Sequence, residues 1–295
     1  MDRITDICVM QNLKIGWIGL GKMGIPMAEQ LLKAKYLLSV YNRSKDKEAA
    51  LKTMGAQTAS APSALMATCD IVFLMVSDDE AVSQIFKAED GLLADESTGK
   101  IIINMSTVSP GISREMAALC EGKGNFYLDA PVSGSVKQAE TGTLVIMAGG
   151  NEEAFEKVKP VFEKLGKLSM LVGANGAGNS TKLAINSLLA IHAQGLAETV
   201  LFAQANHINP EDLLTLISNS AIGTVFGKIK GDAIIADNYS AAFALKHIVK
   251  DLRLAKAEGL SSPLAAAAFT TFQNAETEYG DEDIIAVLKA LKVEN

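Results

Sequence analysis

The sequence is 295 residues long, 48% apolar and 21% charged, with Lys+Arg 27 against Asp+Glu 34 and a net charge of −7. That length predicts two domains with room for substantial cores, and the acidic balance argues against nucleic acid or an anionic membrane surface as the main partner. The cysteines Cys8, Cys69 and Cys120 are scattered, which suggests neither a zinc site nor a disulfide framework.

No apolar run of roughly 18 residues occurs. Residues 1–12 lack the apolar stretch of a signal peptide, so the cytoplasm is the expected compartment. From residue 13 onward, short apolar runs alternate with amphipathic stretches. Lys14–Ile18 reads as a strand, residues 23–34 as a helix and Leu37–Tyr41 as a second strand. Further strands are expected at residues 70–76, 100–104, 125–129, 143–148 and 168–172, with helical patterns such as 151–165 between them. Ile- and Val-rich strands alternating with helices predict an α/β domain with a doubly wound, mostly parallel sheet.

The second half is different. Helices are expected at residues 183–205, at Pro210–Ser218, and at residues 244–258, 263–278 and 282–291. Residues 183–205 carry one formal charge, Glu198, and no proline. They predict a long helix buried on most sides, and with it self-association. The Gly-Ala-Asn-Gly-Ala-Gly run at 173–178 is the strongest breaker in the chain. It divides a domain of residues 1–174, in which 1–12 are an extension, from an all-α domain of residues 175–295.

Gly19-Leu20-Gly21-Lys22-Met23-Gly24 follows the first strand and opens the first helix. Gly19 permits a tight turn, Gly21 lets a pyrophosphate approach the backbone, and Gly24 lets helix and strand pack closely. The helix start adds free N–H groups and a positive dipole end. Together these predict a Rossmann dinucleotide site. An NAD enzyme usually carries Asp or Glu at the end of the second strand, whereas here Asn42, Arg43 and Ser44 follow Tyr41. Arg43 can hold a 2′-phosphate by charge-assisted hydrogen bonds, helped by Asn42 and Ser44, which favours NADP(H).

Asp129-Ala130-Pro131-Val132-Ser133-Gly134-Ser135 runs from a strand end into a short helix. Ser133, Gly134 and Ser135 could hold a carboxylate or phosphate; a simple N-capping turn would use the same residues. Lys182 lies in the first turns of the long apolar helix, where the macrodipole disfavours a cation, and Asn186 shares its face. A lysine there can donate a proton to a carbonyl oxygen; one that snorkels to solvent is the alternative. Lys250 and Asp251 suit either a site or an ordinary charged helix surface. His192, His207 and His247 show no metal spacing.

In this order GLGKMG, DAPVSGS, GAGNSTKLAIN and KDLRLA resemble the β-hydroxyacid dehydrogenase family, which includes 3-hydroxyisobutyrate dehydrogenase. The likeness runs from about Leu13 to Leu291. PVSGSVKQAE, FALKHIVKDLRLA and the Gly280-Asp281-Glu282-Asp283 run are similar to the glyoxylate/succinic semialdehyde reductase branch, and Ala221-Ile222-Gly223-Thr224-Val225-Phe226 departs from it.

The resemblance implies Lys182 as general acid/base with Asn186 beside the substrate, and Ser133, Gly134 and Ser135 on its carboxylate. Thr107 would stand where nicotinamide and substrate meet, and Met75, Val76 and Ser77 would end a strand and line the cofactor. Phe243, Lys250 and Asp251 would close the cleft, with Lys250 reaching the cofactor. The expected activity is NADPH-dependent reduction of small aldehyde acids, without a metal. The rivals are oxidation of 3-hydroxyisobutyrate or another 3-hydroxy acid, and an NADP(H)-binding interaction module without activity.

Overall fold

The computed structural model describes residues 13–292, so the expected N-terminal extension, the expectation of no signal peptide there, and Cys8 lie outside the described residues. Strand β1 (Lys14–Ile18) leads to α1 (Gly24–Lys33), β2 (Leu37–Tyr41), α2 (Ala49–Thr53), β3 (Gln57–Thr58), α3 (Pro62–Thr68) and β4 (Ile71–Leu74). The chain continues through α4 (Asp79–Lys87), β5 (Ile101–Asn104), α5 (Pro110–Gly122), β6 (Phe126–Asp129), β7 (Val132–Ser133) and α6 (Val136–Glu140). Then come β8 (Leu144–Gly150), α7 (Glu152–Leu165) and β9 (Gly166–Gly173).

The sheet order is β3-β2-β1-β4-β5-β6-β8-β7, with β9 also paired to β8. From β3 to β6 all pairs are parallel, while β8 runs antiparallel to β6 and β7 and parallel to β9. This is the expected doubly wound α/β sheet of Rossmann type. Every residue of β4 and β5 is buried, as a central parallel strand covered on both faces requires. Alternation sorts them: Phe73, Ile101 and Ile103 join Trp17 on one face, and Val72, Leu74 and Ile102 join Phe86 and Tyr127 on the other. Trp17 stacks on Phe73 at 5.4 Å between ring centres. Strand order reverses between β1 and β4, and ligands of such sheets bind at the carboxyl ends of the strands beside that point.

The remaining helices are α8 (Ala177–Ala205), α9 (Pro210–Ser218), α10 (Val225–Ile235), α11 (Leu245–Ala257), α12 (Pro263–Tyr279) and α13 (Val287–Leu291). Their core gathers Leu245, Ile248, Val249, Leu252, Phe272 and Ile284. None of these helices is long and apolar enough to cross a membrane.

Several boundaries differ from the sequence expectation. The chain forms two compact units, one ending at Lys182 and the other beginning at Leu183. The first turns of α8 therefore belong to the sheet unit, beyond the boundary expected at 174/175. Helix α10 was not expected; Thr224 caps it by accepting the Gly227 N–H at 2.9 Å. The helix expected over 282–291 begins as a 3-10 turn at Ile284–Ala286, because Asp283 caps it there and the run Ile284 to Leu288 is buried throughout. Strand β4 ends at Leu74, which leaves Met75, Val76 and Ser77 in the following loop. Helix α8 is not buried on most sides within one chain, since Ile185 is 40%, Leu188 54% and Phe202 70% exposed.

Candidate active site

The glycines after β1 have separate structural reasons. Gly19 has φ +96, and a Cβ there would lie 2.1 Å from the Met75 carbonyl oxygen. A Cβ on Gly24 would lie 2.0 Å from the Gly19 oxygen, so only glycine lets α1 start this close to the turn. In front of Gly21 there is nothing within 4 Å. That open backbone at a helix start is the cradle a pyrophosphate needs. Lys22 is exposed and Met23 half-buried.

Asn42 ties this turn to the end of β2. Its Oδ1 accepts the Leu20 N–H at 2.9 Å, its Nδ2 donates to the Ser44 carbonyl at 2.8 Å, and its own N–H donates to Glu48 Oε1 at 2.8 Å. The Leu20 N–H is thus occupied inside the protein, which places Leu20 and Asn42 in a strap behind the loop. Arg43 and Ser44 are exposed. The neighbouring carboxylate, Glu48, is buried and also accepts from Lys45 Nζ at 3.0 Å, so the strand end presents a cation outward. These residues fit NADP(H): open glycine, helix start and outward guanidinium.

Beyond β4, the Val76 N–H donates to Ser106 Oγ at 2.9 Å and Ser77 Oγ donates to Asp78 at 2.7 Å. Thr107, half-buried, follows Ser106 and precedes Val108. The Val108 N–H donates to Asn179 Oδ1 at 3.0 Å, so both flanks of Thr107 are pinned.

Ser133 ends β7, and Gly134 follows with φ +143, where a Cβ would strike Leu144 at 2.7 Å. Ser135 has its partner in the short helix that follows its loop. Its N–H and hydroxyl both donate to Gln138 Oε1, at 2.8 and 2.5 Å, so it serves as the cap of α6.

Asp129, the last residue of β6, is fully buried. It accepts the Gly176 N–H on Oδ1 at 2.7 Å and the Asn179 N–H on Oδ2 at 2.9 Å. Burial pushes its pKa up to about 6, and those N–H groups pull the other way. Asn179 also donates to Ser113 Oγ at 3.1 Å. One turn on, Lys182 is buried, with 8% of its surface exposed.

In the helical unit, Asn186 Nδ2 donates to Asp251 Oδ2 at 2.6 Å, and both residues are buried. Lys250 Nζ lies 3.1 Å from the other oxygen of Asp251. Asp251 is therefore no part of a solvated helix face. Phe243 stacks beside His247 at 6.1 Å, and its N–H donates to Asp283 Oδ2 at 3.3 Å. Among the described residues no His, Cys, Asp or Glu group could hold a metal.

The NAD-binding domain of 6-phosphogluconate dehydrogenase matches residues 14–175, and the NAD-binding domain of NADP-dependent 3-hydroxyisobutyrate dehydrogenase matches residues 176–291. The chain belongs to the β-hydroxyacid dehydrogenase family. Glyoxylate/succinic semialdehyde reductase 2, chloroplastic, of Arabidopsis thaliana is 36% identical over 95% of this chain and 80% of its own length. Reductase 1 of the same organism is 35% identical over 95% of this chain and 99% of its own. Among solved structures, Mycobacterium tuberculosis 3-hydroxyisobutyrate dehydrogenase with L-serine aligns with a TM-score of 0.87 at 28% identity, covering 96% of this chain and all of that one. This β-hydroxyacid dehydrogenase is thus an oxidoreductase that acts on CH–OH groups with NAD(P).

Sequence reasoning passed over Asp129 and Asn179 in the dehydrogenase. Both stand inside motifs it quoted, yet their partners lie 47 to 71 residues away in the chain. The Gln138 partner of Ser135 was visible as the Ser-x-x-Gln of a capping box.

Proposed function

We propose that this dehydrogenase reduces small aldehyde acids of the glyoxylate or succinic semialdehyde type with NADPH, and that Lys182 is the proton donor. The observation that carries the reading is a buried lysine in the first turns of a helix whose one other formal charge is Glu198, where the dipole opposes a cation. The bound cofactor supplies hydride to the carbonyl carbon. Lys182 Nζ donates its proton to the carbonyl oxygen as charge develops there, and a positioned acid of this kind contributes about 10²–10⁴ in rate. Asn186, which donates to Asp251 within the helical unit, takes the substrate-binding role that the family resemblance implies. Ser133 and the Gly134 backbone hold the substrate carboxylate, while Ser135 fixes the shape of their loop. Thr107 stands at the reacting carbon, Met75, Val76 and Ser77 line the nicotinamide, and Arg43 with Ser44 grips the 2′-phosphate.

The similarity to the two reductases supports the reductive direction and the aldehyde-acid substrate. Initial rates with glyoxylate, succinic semialdehyde and 3-hydroxyisobutyrate, using both cofactors and both directions, test it. The expected result is fastest turnover of an aldehyde acid with NADPH. Preferred oxidation of 3-hydroxyisobutyrate would replace this reading with its rival, and no turnover at all would leave a binding module. The exposed Phe202, Leu216, Ile222 and Val225, each 69% or more accessible, support self-association as a homodimer or homotetramer, which light scattering measures.

A further inference from the structure

We infer that Asp129 and Asn179 are positioning residues that set where the Lys182 ammonium stands, an inference that rests on the reading of Lys182 as the proton donor. Asp129 joins the end of β6 to the start of α8, with Oδ1 on the Gly176 N–H and Oδ2 on the Asn179 N–H. A carboxylate at a helix start is favoured by the dipole and by the free N–H groups of the first turn.

The contact has no slack. A Cβ on Gly178 would lie 2.4 Å from the Met147 oxygen and 2.6 Å from that of Asp129. One on Gly149 would lie 2.8 Å from Asp129 Oδ1. Glycines at both places let the helix backbone sit directly on the ends of β6 and β8.

Asn179 holds the same turn from another side. Its Oδ1 accepts the Val108 N–H at 3.0 Å, and its Nδ2 donates to Ser113 Oγ at 3.1 Å. The two residues thus tie the first turn of α8 to β6, to the loop that carries Thr107, and to α5. Lys182 is three residues past Asn179, on the same face of the helix. Any slide or rotation of the helix start would move its amine relative to Thr107. Reaction rates are steep in such displacements, a misplacement of about 1 Å costing about 10²-fold. Packing alone could hold a helix; fixing its register against a loop takes directed bonds.

A rate cycle on the full-length enzyme separates positioning from plain stability. Asp129→Asn keeps the size but turns an amide toward one of the two N–H donors. It should lower kcat for the aldehyde acid about 10–100-fold, leaving NADPH binding by fluorescence titration at its wild-type value. In a Lys182→Ala background the same substitution should change the rate less than about two-fold, because residues that act through one group are not additive. Asn179→Ala should behave alike. Ser113→Ala, which removes only the hydroxyl beside the Asn179 amide, provides a milder arm should the others fail to fold, with a loss of about 2–5-fold that also vanishes without Lys182.

Equal losses in both backgrounds, or wild-type kcat in folded variants, would overturn the inference alone. A Lys182→Ala enzyme with wild-type kcat would overturn the proton-donor reading and this inference with it.

Discussion

Asp129 in the sheet unit and Asp283 in the helical unit are both buried aspartates that organise the backbone around them. They are satisfied in different ways. The hydrogen bonds to the Asp129 carboxylate come from the backbone N–H groups of Gly176 and Asn179. Asp283 accepts the N–H groups of Ala242, Phe243 and Ile285 and in addition pairs with the buried Lys230 ammonium at 2.7 Å. A carboxylate held by dipoles alone keeps much of its desolvation cost, and the pKa of Asp129 is pushed up to about 6 accordingly. The pair in the helical unit locks the loop that presents Phe243. The lone carboxylate gives up stability at neutral pH in return for a fixed helix start. One is a lock, and the other is a gauge.

Removing the cation of the pair should have the largest effect. Lys230→Met would leave Asp283 buried without its counter-charge, and urea unfolding should report a loss of about 3–5 kcal/mol; a loss below about 1 kcal/mol would show the pair to be dispensable. For Asp129 the sign is the unusual one. Its folded pKa of about 6 lies above the ordinary 3.8, so its stabilising contribution is complete below about pH 4 and is lost as pH rises through about 6. Compared with Asp129→Asn, wild type should lose on the order of 3 kcal/mol of unfolding free energy over that window. A difference between the two proteins that stays flat with pH would contradict the burial argument.

Smaller effects are expected where charge is exposed. Arg43→Ala should raise KM for NADPH about 10–100-fold, the equivalent of about 1.5–3 kcal/mol for a charged hydrogen bond, and leave KM for NADH nearly unchanged. Equal losses with both cofactors would remove the 2′-phosphate from the account. Asn42→Ala loosens the strap behind the loop, which both cofactors share. It should cost about 1 kcal/mol in the affinity of each, read by titration; a loss confined to NADPH would make Asn42 a phosphate ligand.

The sheet unit was legible because its strands are short, buried on both faces and spaced by helices, so that apolar runs such as IVFL and IIIN could be read directly. The glycine turn was legible for a local reason: all of its constraints lie within a few residues. What escaped was non-local. Asp129 gains its role only when the chain returns at Gly176 and Asn179, and no periodicity announces that meeting. Helix α10 was hidden by weak amphipathicity, and the buried run from Ile284 to Leu288 suits a helix as well as the 3-10 turn that Asp283 starts. The apolar stretch of α8 predicts burial, but Phe202 and Leu188 are exposed in the single chain. Apolar composition reports a need for cover without saying what provides it.

Single-turnover kinetics of Lys182→Ala with a saturating aldehyde acid and prebound NADPH bear most directly on the chemistry. A fall of about 10²–10⁴ in the reduction rate, with NADPH affinity unchanged, is the outcome expected of a lost proton donor. A variant that binds NADPH and still reduces the acid at the wild-type rate would contradict it.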